Sequence, residues 1–294
     1  MRTYFECVPC FLRQALEAAR IVSDDATLHE RMLRETLRMA AEMPFDRSPP
    51  EMGQRIHRYL REATGNPDPY RRIKEQSNAM ALALYPELQR RVRESSDPLA
   101  TAAALAIAGN IIDYGCRSEL SRPQVDEAIA EALRTPLDSE SVARLRSRAE
   151  AAERILYLAD NAGEIVFDRL LIEQLPRERI AVAVRGTPVI NDATLSDAEA
   201  AGLTALVPVI DNGSDAPGTL LDACSGEFRA RFDASDLVIA KGQGNYETLG
   251  GAHAHTVFLF MAKCAVAARD AGCRVGERVV LHDRPRAHSS PSGR

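Results

Sequence analysis

Carboxylates, amides and glycines gather at the ends of four apolar runs between residues 155 and 247. Ile155–Ala159 runs into Asp160-Asn161-Ala162-Gly163-Glu164, and Ile180–Val184 into Arg185-Gly186, with Asn191-Asp192-Ala193-Thr194 soon after. Ala205–Ile210 ends in Asp211-Asn212-Gly213-Ser214, and Leu237–Ala240 in Lys241-Gly242-Gln243-Gly244-Asn245-Tyr246-Glu247. Hard oxygen donors at this density suit a divalent metal, and glycine turns beside a lysine suit a phosphate. If the four runs are parallel strands of one open α/β sheet, their ends share a rim where ligands bind. The four bursts then make a single site.

Each burst also has a purely structural use. Asp160 or Asn161 can cap a helix whose third position is near Glu164, and Asp192 is a good cap for the next helix. The same Asp160 and Asn161 oxygens could instead ligate a hard cation, and Arg185 could grip an anion through two N–H groups or lie on the surface. The turn from Gly213 to Gly218 is the strongest phosphate cradle in the chain. Gly213 and Gly218 allow close backbone approach, Ser214 and Thr219 offer hydroxyls, and a following helix would add its free N–H groups. It lacks the Lys-Ser/Thr ending of a nucleoside-triphosphate loop. Lys241, at a strand end and followed by glycines and Asn245, is placed to balance phosphoryl charge. Glu247 could be a ligand, a general base or a surface acid. Asn110 and Asp113, at the end of an apolar helix, need partners, either between domains or on a ligand.

The elements that would carry these residues fall into two textures. Residues 1–150 read as helix after helix: Cys10–Val22, Leu28–Met43, a helix after Pro49-Pro50, another after Asp68-Pro69, a buried one over Leu99–Tyr114, and two opened by Arg122-Pro123 and Ser139. Residues 151–283 alternate short β-branched runs with helical stretches, the pattern of βαβ units and a parallel sheet. The expected crossover helices are Glu164–Leu175, Asp192–Ala201, Thr219–Phe232 and a stretch within Phe258–Ala271, with Val275–Leu281 as a last, edge strand. Residues 284–294 read as a disordered tail. The expected fold class is a Rossmann-like, mostly parallel sheet flanked by helices and preceded by an all-helical region.

Composition narrows the partners. The 294 residues are 45% hydrophobic with a net charge of −5, which argues against nucleic acid as a partner. No run approaches the roughly 18 apolar residues of a membrane span, and Met1–Cys7 lacks a signal-peptide core, so a cytoplasmic location is expected. Six cysteines in such a chain are expected to be reduced. Cys7-Val8-Pro9-Cys10 alone has a chemical spacing: half a zinc site completed in space by His253, His255 or Cys116, a redox pair, or an incidental pair at a helix start.

In order along the chain, seven of these segments resemble the damage-control phosphatases, long labelled domain of unknown function 89. They are Cys7–Cys10, Gly109–Asp113, Asp160–Glu164, Arg185–Pro188, Asn191–Thr194, the Gly213–Gly218 turn and Lys241–Glu247. The Cys-x-x-Cys start resembles the stand-alone prokaryotic and archaeal-type subfamily. The resemblance implies a helical region on a Rossmann-like domain, a divalent metal (Mn, Ni, Co or Mg) on Asp160, Asn161 and Asp192, and hydrolysis of small-metabolite phosphate monoesters. With it, Lys241 and the Gly213–Gly218 backbone are expected to bind the phosphoryl oxygens, helped by Arg185, Ser214, Asn245 and Asn110. Water activated with Glu164 is the first choice of nucleophile, and direct attack by Asp160 the covalent alternative. Two other readings are a Rossmann-like small-molecule binding protein or S-adenosylmethionine-dependent methyltransferase, and a metal-binding scaffold built on Cys7 and Cys10.

Overall fold

The structure, a computed structural model, describes residues 1–110 and 122–283. The helices begin at their sequence signals. Asp25 accepts from the Thr27 N–H to cap α2 (Ala26–Glu42), Ser48 and Glu51 form a capping box on α3 (Pro49–Thr64), and Asp97 caps α5 (Pro98–Ala108). Among them lie α1 (Cys7–Val22) and α4 (Arg71–Glu94), and α6 (Arg122–Arg134) and α7 (Ser139–Ala151) follow. Helices α1 to α3 share a core of Phe11, Ala15, Met32, Met52, Ile56 and Leu60.

The sheet has the order β3-β2-β1-β4-β5-β6. Its strands are β1 (Ile155–Leu158), β2 (Ile180–Val184), β3 (Val209–Asp211), β4 (Leu237–Lys241), β5 (Thr256–Met261) and β6 (Arg278–His282). The first five are parallel, and β6 closes the edge antiparallel to β5. The chain works outward from β1 to β3 and then returns to β4 on the other side of β1. The carboxyl ends of β1 and β4 therefore flank the crevice where an open α/β sheet binds its ligand. Alternation along the strands divides the core. Ile155, Tyr157 and Ile239 face α5 and α8 (Glu164–Ile172) in one cluster with Leu105, Ile107 and Phe167. Leu156, Leu158 and Val238 face Phe228 and Phe232 of α10 (Gly226–Asp233) and Tyr246 of α11 (Gly242–Leu249) on the other side. The expected Rossmann-like, mostly parallel sheet flanked by helices is present. Among the described residues, no helix is long and apolar enough to cross a membrane.

Several boundaries differ from the sequence reading; the helix expected from Asp192 starts at Leu195 behind the Thr194 cap, and the last strand is Arg278–His282. The run Ala205–Ile210 becomes strand only at Val209, because the Leu206 and Val207 N–H groups turn back onto Leu203. The crossover helix expected at Thr219 begins at Gly226, where Ser225 caps it by accepting from Phe228. Phe258–Ala271 holds the rest of β5 and then α12 (Ala265–Ala271); a short apolar run fits either state, and here sheet pairing decides. The glycine-rich segment after Lys241 coils into α11 rather than remaining a turn. Of the buried helix expected over Leu99–Tyr114, α5 ends at Ala108, and Ile111–Tyr114, with Asp113, lie outside the described residues, as do Cys116 and the tail.

Candidate active site

Asp160 leaves β1 and is tied to the segment after β2. Ala193 donates its N–H to the Asp160 carbonyl at 2.8 Å, Ala162 donates to the Asn191 carbonyl at 2.9 Å, and Asn161 and Asp192 form an isolated bridge. The side chains of Asp160, Asn161 and Asp192 thus meet at one end of a cleft of about 510 Å³. Asn161 donates Nδ2 to Asp160 Oδ2 at 2.8 Å and to Glu164 Oε2 at 3.0 Å, which leaves its amide oxygen as an open acceptor. Burial lifts the Asp160 carboxyl well above the usual carboxylate range, and repulsion from Glu164 and Asp192 adds to it. Two carboxylates and an amide oxygen crowded in this way fit a hard divalent cation, which would relieve the repulsion. Ile190, just before Asn191, holds φ at +46°, a costly conformation for a β-branched residue.

Lys241 lies beneath this rim. Its ammonium donates to the Ala106 carbonyl at 2.9 Å, Glu164 Oε1 at 2.7 Å and Asp168 Oδ1 at 2.6 Å, so all three donors are engaged. Burial alone would lower its pKa; Asp168 and Glu164 instead hold it above the ordinary value. Asp168 is raised to about 6 by burial, against the pull of Lys241, and also accepts from the Tyr157 hydroxyl at 2.8 Å. The Glu164 carboxylate is filled on both sides, by Lys241 on Oε1 and by Asn110 (2.7 Å) and Asn161 on Oε2. Asn110 also donates to Asp160 Oδ2 at 3.1 Å, tying the end of α5 to the Asp160 rim. The structure therefore gives Lys241 and Glu164 anchoring contacts where the sequence suggested a phosphate ligand and a base. The reason is register: Lys241 shares its strand face with Ile239 and so points inward. Gly242 comes next, with φ +79°, and a Cβ there would sit 1.9 Å from Asp160 Oδ2. Only glycine fits between the two strand ends.

Arg185 and Asn245 form a second buried layer. Arg185 donates Nε to Asp192 Oδ2 at 2.6 Å, and its other nitrogens lie 3.4 Å from Asn245 Oδ1 and Thr219 Oγ1. Asn245 donates to the Lys241 carbonyl at 2.7 Å and accepts from Thr219 at 2.8 Å. Both expected anion ligands thus orient Asp192 and the strand ends.

The loop expected to cradle phosphate leaves the sheet at Asn212 and returns at Ser225, whose N–H donates to the Asn212 carbonyl at 3.0 Å. Its turn is occupied by protein. The Ser214 carbonyl accepts from Gly186 and Thr187, Ser214 Oγ accepts from Ala216, and Gly213 abuts Gly186. α10 starts only at Gly226, so only the single 3-10 turn Leu221–Ala223, and not an α-helix, follows the Gly213–Gly218 segment directly. From this loop, Pro217 reaches the cleft, packed against Gly53 of α3, while Gly218 lies against Gly244.

Asp215 fixes the loop to α3. It accepts from Gln54 at 2.7 Å, from Arg58 at 2.6 and 2.7 Å, and from Arg61 at 2.5 Å. Burial would raise its pKa, but the hydrogen bonds from Arg58 and Gln54 outweigh it and hold the carboxyl at about 2. A depressed folded-state pKa contributes stability above the unfolded value, and that contribution is lost as pH falls from 3.8 toward about 2. Asp215→Asn is therefore expected to be less stable than the parent at neutral pH, with the gap closing in that acid window. Denaturant unfolding of both proteins across pH measures it; a pH-independent gap would contradict the ion-pair account.

The walls of the cleft carry Lys263, Arg13, Arg269 and Cys264, which the sequence reading passed over, beside Glu247, Cys7 and Cys10, which it named. Lys263, just beyond β5, donates its N–H to Gln243 Oε1 at 2.8 Å, and its charge pulls down the pKa of Asp160. Arg13 and Arg269 line the same cleft. Glu247 is pushed up to about 7 by burial, while its Oε1 accepts from Gln243 at 2.7 Å. Cys7, Cys10 and Cys264 also face this space. His253 and His255 pack on Phe232 at the opposite end of β5, too far to join the cysteines. Strand periodicity places only strand ends, so Arg13 on α1 and Lys263 and Cys264 after a misread β5 gave no signal.

A family model described as the damage-control phosphatase ARMT1-like domain matches residues 3–279. The chain is 35% identical to an uncharacterized protein of Methanocaldococcus jannaschii, over 94% of each chain. It is also 35% identical to a damage-control phosphatase of Archaeoglobus fulgidus, over 93% of this chain and 96% of that one. A crystal structure of a DUF89 family protein from Pyrococcus horikoshii superposes with a TM-score of 0.86 at 32% identity, covering 97% of this chain and 100% of that one.

Proposed function

The chain belongs to the damage-control phosphatase family, and from that premise we propose that it is a metal-dependent phosphomonoesterase acting on small phosphorylated metabolites. The observation that carries this reading is the meeting of Asp160, Asn161 and Asp192 at the cleft. These three residues would hold Mn, Ni, Co or Mg. When bound there, such an ion supplies Lewis-acid polarisation of the phosphoryl group and a more acidic water.

The chain's own residues divide the remaining work. Lys263, with Arg13 and Arg269 on the walls, draws the anionic ester toward the carboxylates and balances its phosphoryl charge. Lys241, Glu164 and Asn110 position Asn161 and Asp160, and Arg185 positions Asp192. Glu247, with a pKa near neutrality and Oε2 left open beside the Gln243 contact, moves the proton between water and the leaving group. Water is the nucleophile in this reading, and Asp160, held on Oδ2 by Asn110 and Asn161, serves as a metal ligand.

The test is a panel of sugar phosphates and other small phosphate monoesters, each assayed with Mn, Ni, Co and Mg for released phosphate. Metal-dependent release from a subset of esters is expected. Release unchanged by chelator, or none with any metal, would overturn the reading.

A further inference from the structure

We propose that Cys7, Cys10 and Cys264 form an oxidisable thiol site in the wall of the cleft, where Cys7 joins one of the other two in a disulfide. Cys7 opens α1 and Cys10 follows one turn later, so the two lie on one helix face. Residues three apart on a helix have Cβ atoms roughly 5–6 Å apart, close enough for modest adjustment to reach disulfide geometry. Cys264 comes from the segment after β5 as the N-cap of α12, its sulfur accepting from the Ala267 N–H at 3.4 Å and lying 3.8 Å from Gln243 Nε2. All three face the same space, and Cys10 and Cys264 are exposed to small reagents.

Cys7 is where the groups converge. Its thiol is raised first by burial and then by the negative charges of Glu247, Cys264 and Cys10, while the Tyr4 N–H at 3.5 Å pulls it down. Cys224, in contrast, is buried in the core with Phe228 and Phe232, away from the cleft and from small reagents.

A low-molecular-weight disulfide is the oxidant. One cysteine thiolate attacks it, forming a mixed disulfide and releasing one thiol. The second cysteine thiolate then displaces the other half, so that one S–S bond forms in the protein as one breaks in the oxidant. Two electrons pass to the oxidant, and the two cysteine protons end on the released thiols. The bond lies beside Glu247 and the segment that carries Lys263, so oxidation displaces groups that the phosphatase reading assigns to the substrate. The effect on turnover rests on that reading; the bond itself does not.

The experiment exposes the full reduced chain to glutathione disulfide, alkylates the remaining thiols, maps peptides by mass spectrometry and follows phosphate release in parallel. A disulfide containing Cys7 is expected, with turnover lowered several-fold and restored by dithiothreitol. Cys7→Ser should lose the oxidant sensitivity, and Cys10→Ser and Cys264→Ser identify the partner. An oxidised chain in which Cys7 remains alkylatable overturns the proposal, and a Cys7 disulfide that leaves turnover unchanged overturns its link to the substrate groups. If no condition gives turnover, the thiol map still decides this proposal, and the failure belongs to the phosphatase reading.

Discussion

Asp160→Asn is expected to raise the stability of the metal-free chain while abolishing turnover. The carboxylate sits buried against Glu164 and Asp192, and all three repel one another without a cation. An amide keeps an oxygen for the donors Asn110 and Asn161 and removes the charge. The same change deletes a metal ligand, so stabilisation by added Mn should vanish with the activity. Loss of several kcal/mol of transition-state stabilisation corresponds to roughly 10³-fold in rate. Thermal unfolding with and without metal, beside turnover, reads both effects. A variant that is less stable without metal, or that still turns over at the parent rate, would contradict the assignment of Asp160.

Lys241→Met should do the reverse and act on stability. It leaves Glu164 and Asp168 buried beside each other with no counter-charge. Breaking such a buried pair costs about 3–5 kcal/mol. Lys263→Met, on the cleft wall and only partly buried, should cost far less stability than Lys241→Met and raise KM or lower kcat instead. Denaturant unfolding of the two variants separates the lysines. A Lys241→Met protein as stable as its parent, or a Lys263→Met protein that keeps full turnover, would reverse the division of labour drawn here.

The contrast between these two lysines marks how far the sequence could be read. The sheet, its rim and the meeting of Asp160, Asn161 and Asp192 were legible because short β-branched runs and their polar ends recur with βαβ spacing. The inward aim of Lys241 was legible too, since it lies two residues beyond Ile239 on the same strand face. Reading it as a phosphate ligand weighed its charge above its register. Gly213 and Ser214 misled for a different reason. A glycine turn has the same composition whether its N–H groups wait for an anion or are already engaged, and here the Gly213 and Ser214 N–H groups donate to the Asp211 and Asn212 side chains. Lys263 and Glu247 gained their significance from tertiary packing, since only the fold brings α1, α3 and the end of β5 around one cleft. The Asp215 clamp joins residues more than 150 positions apart and leaves no local pattern.

The most direct test of the central claim is to strip the chain with chelator, titrate Mn back, and follow bound metal and phosphate release in one experiment. Turnover is expected to be absent in the stripped chain, to rise in proportion to bound metal, and to stay absent in Asp192→Asn, which should bind Mn far more weakly. Turnover that persists without metal, or that Asp192→Asn recovers in full, would contradict a catalytic cation on Asp160, Asn161 and Asp192.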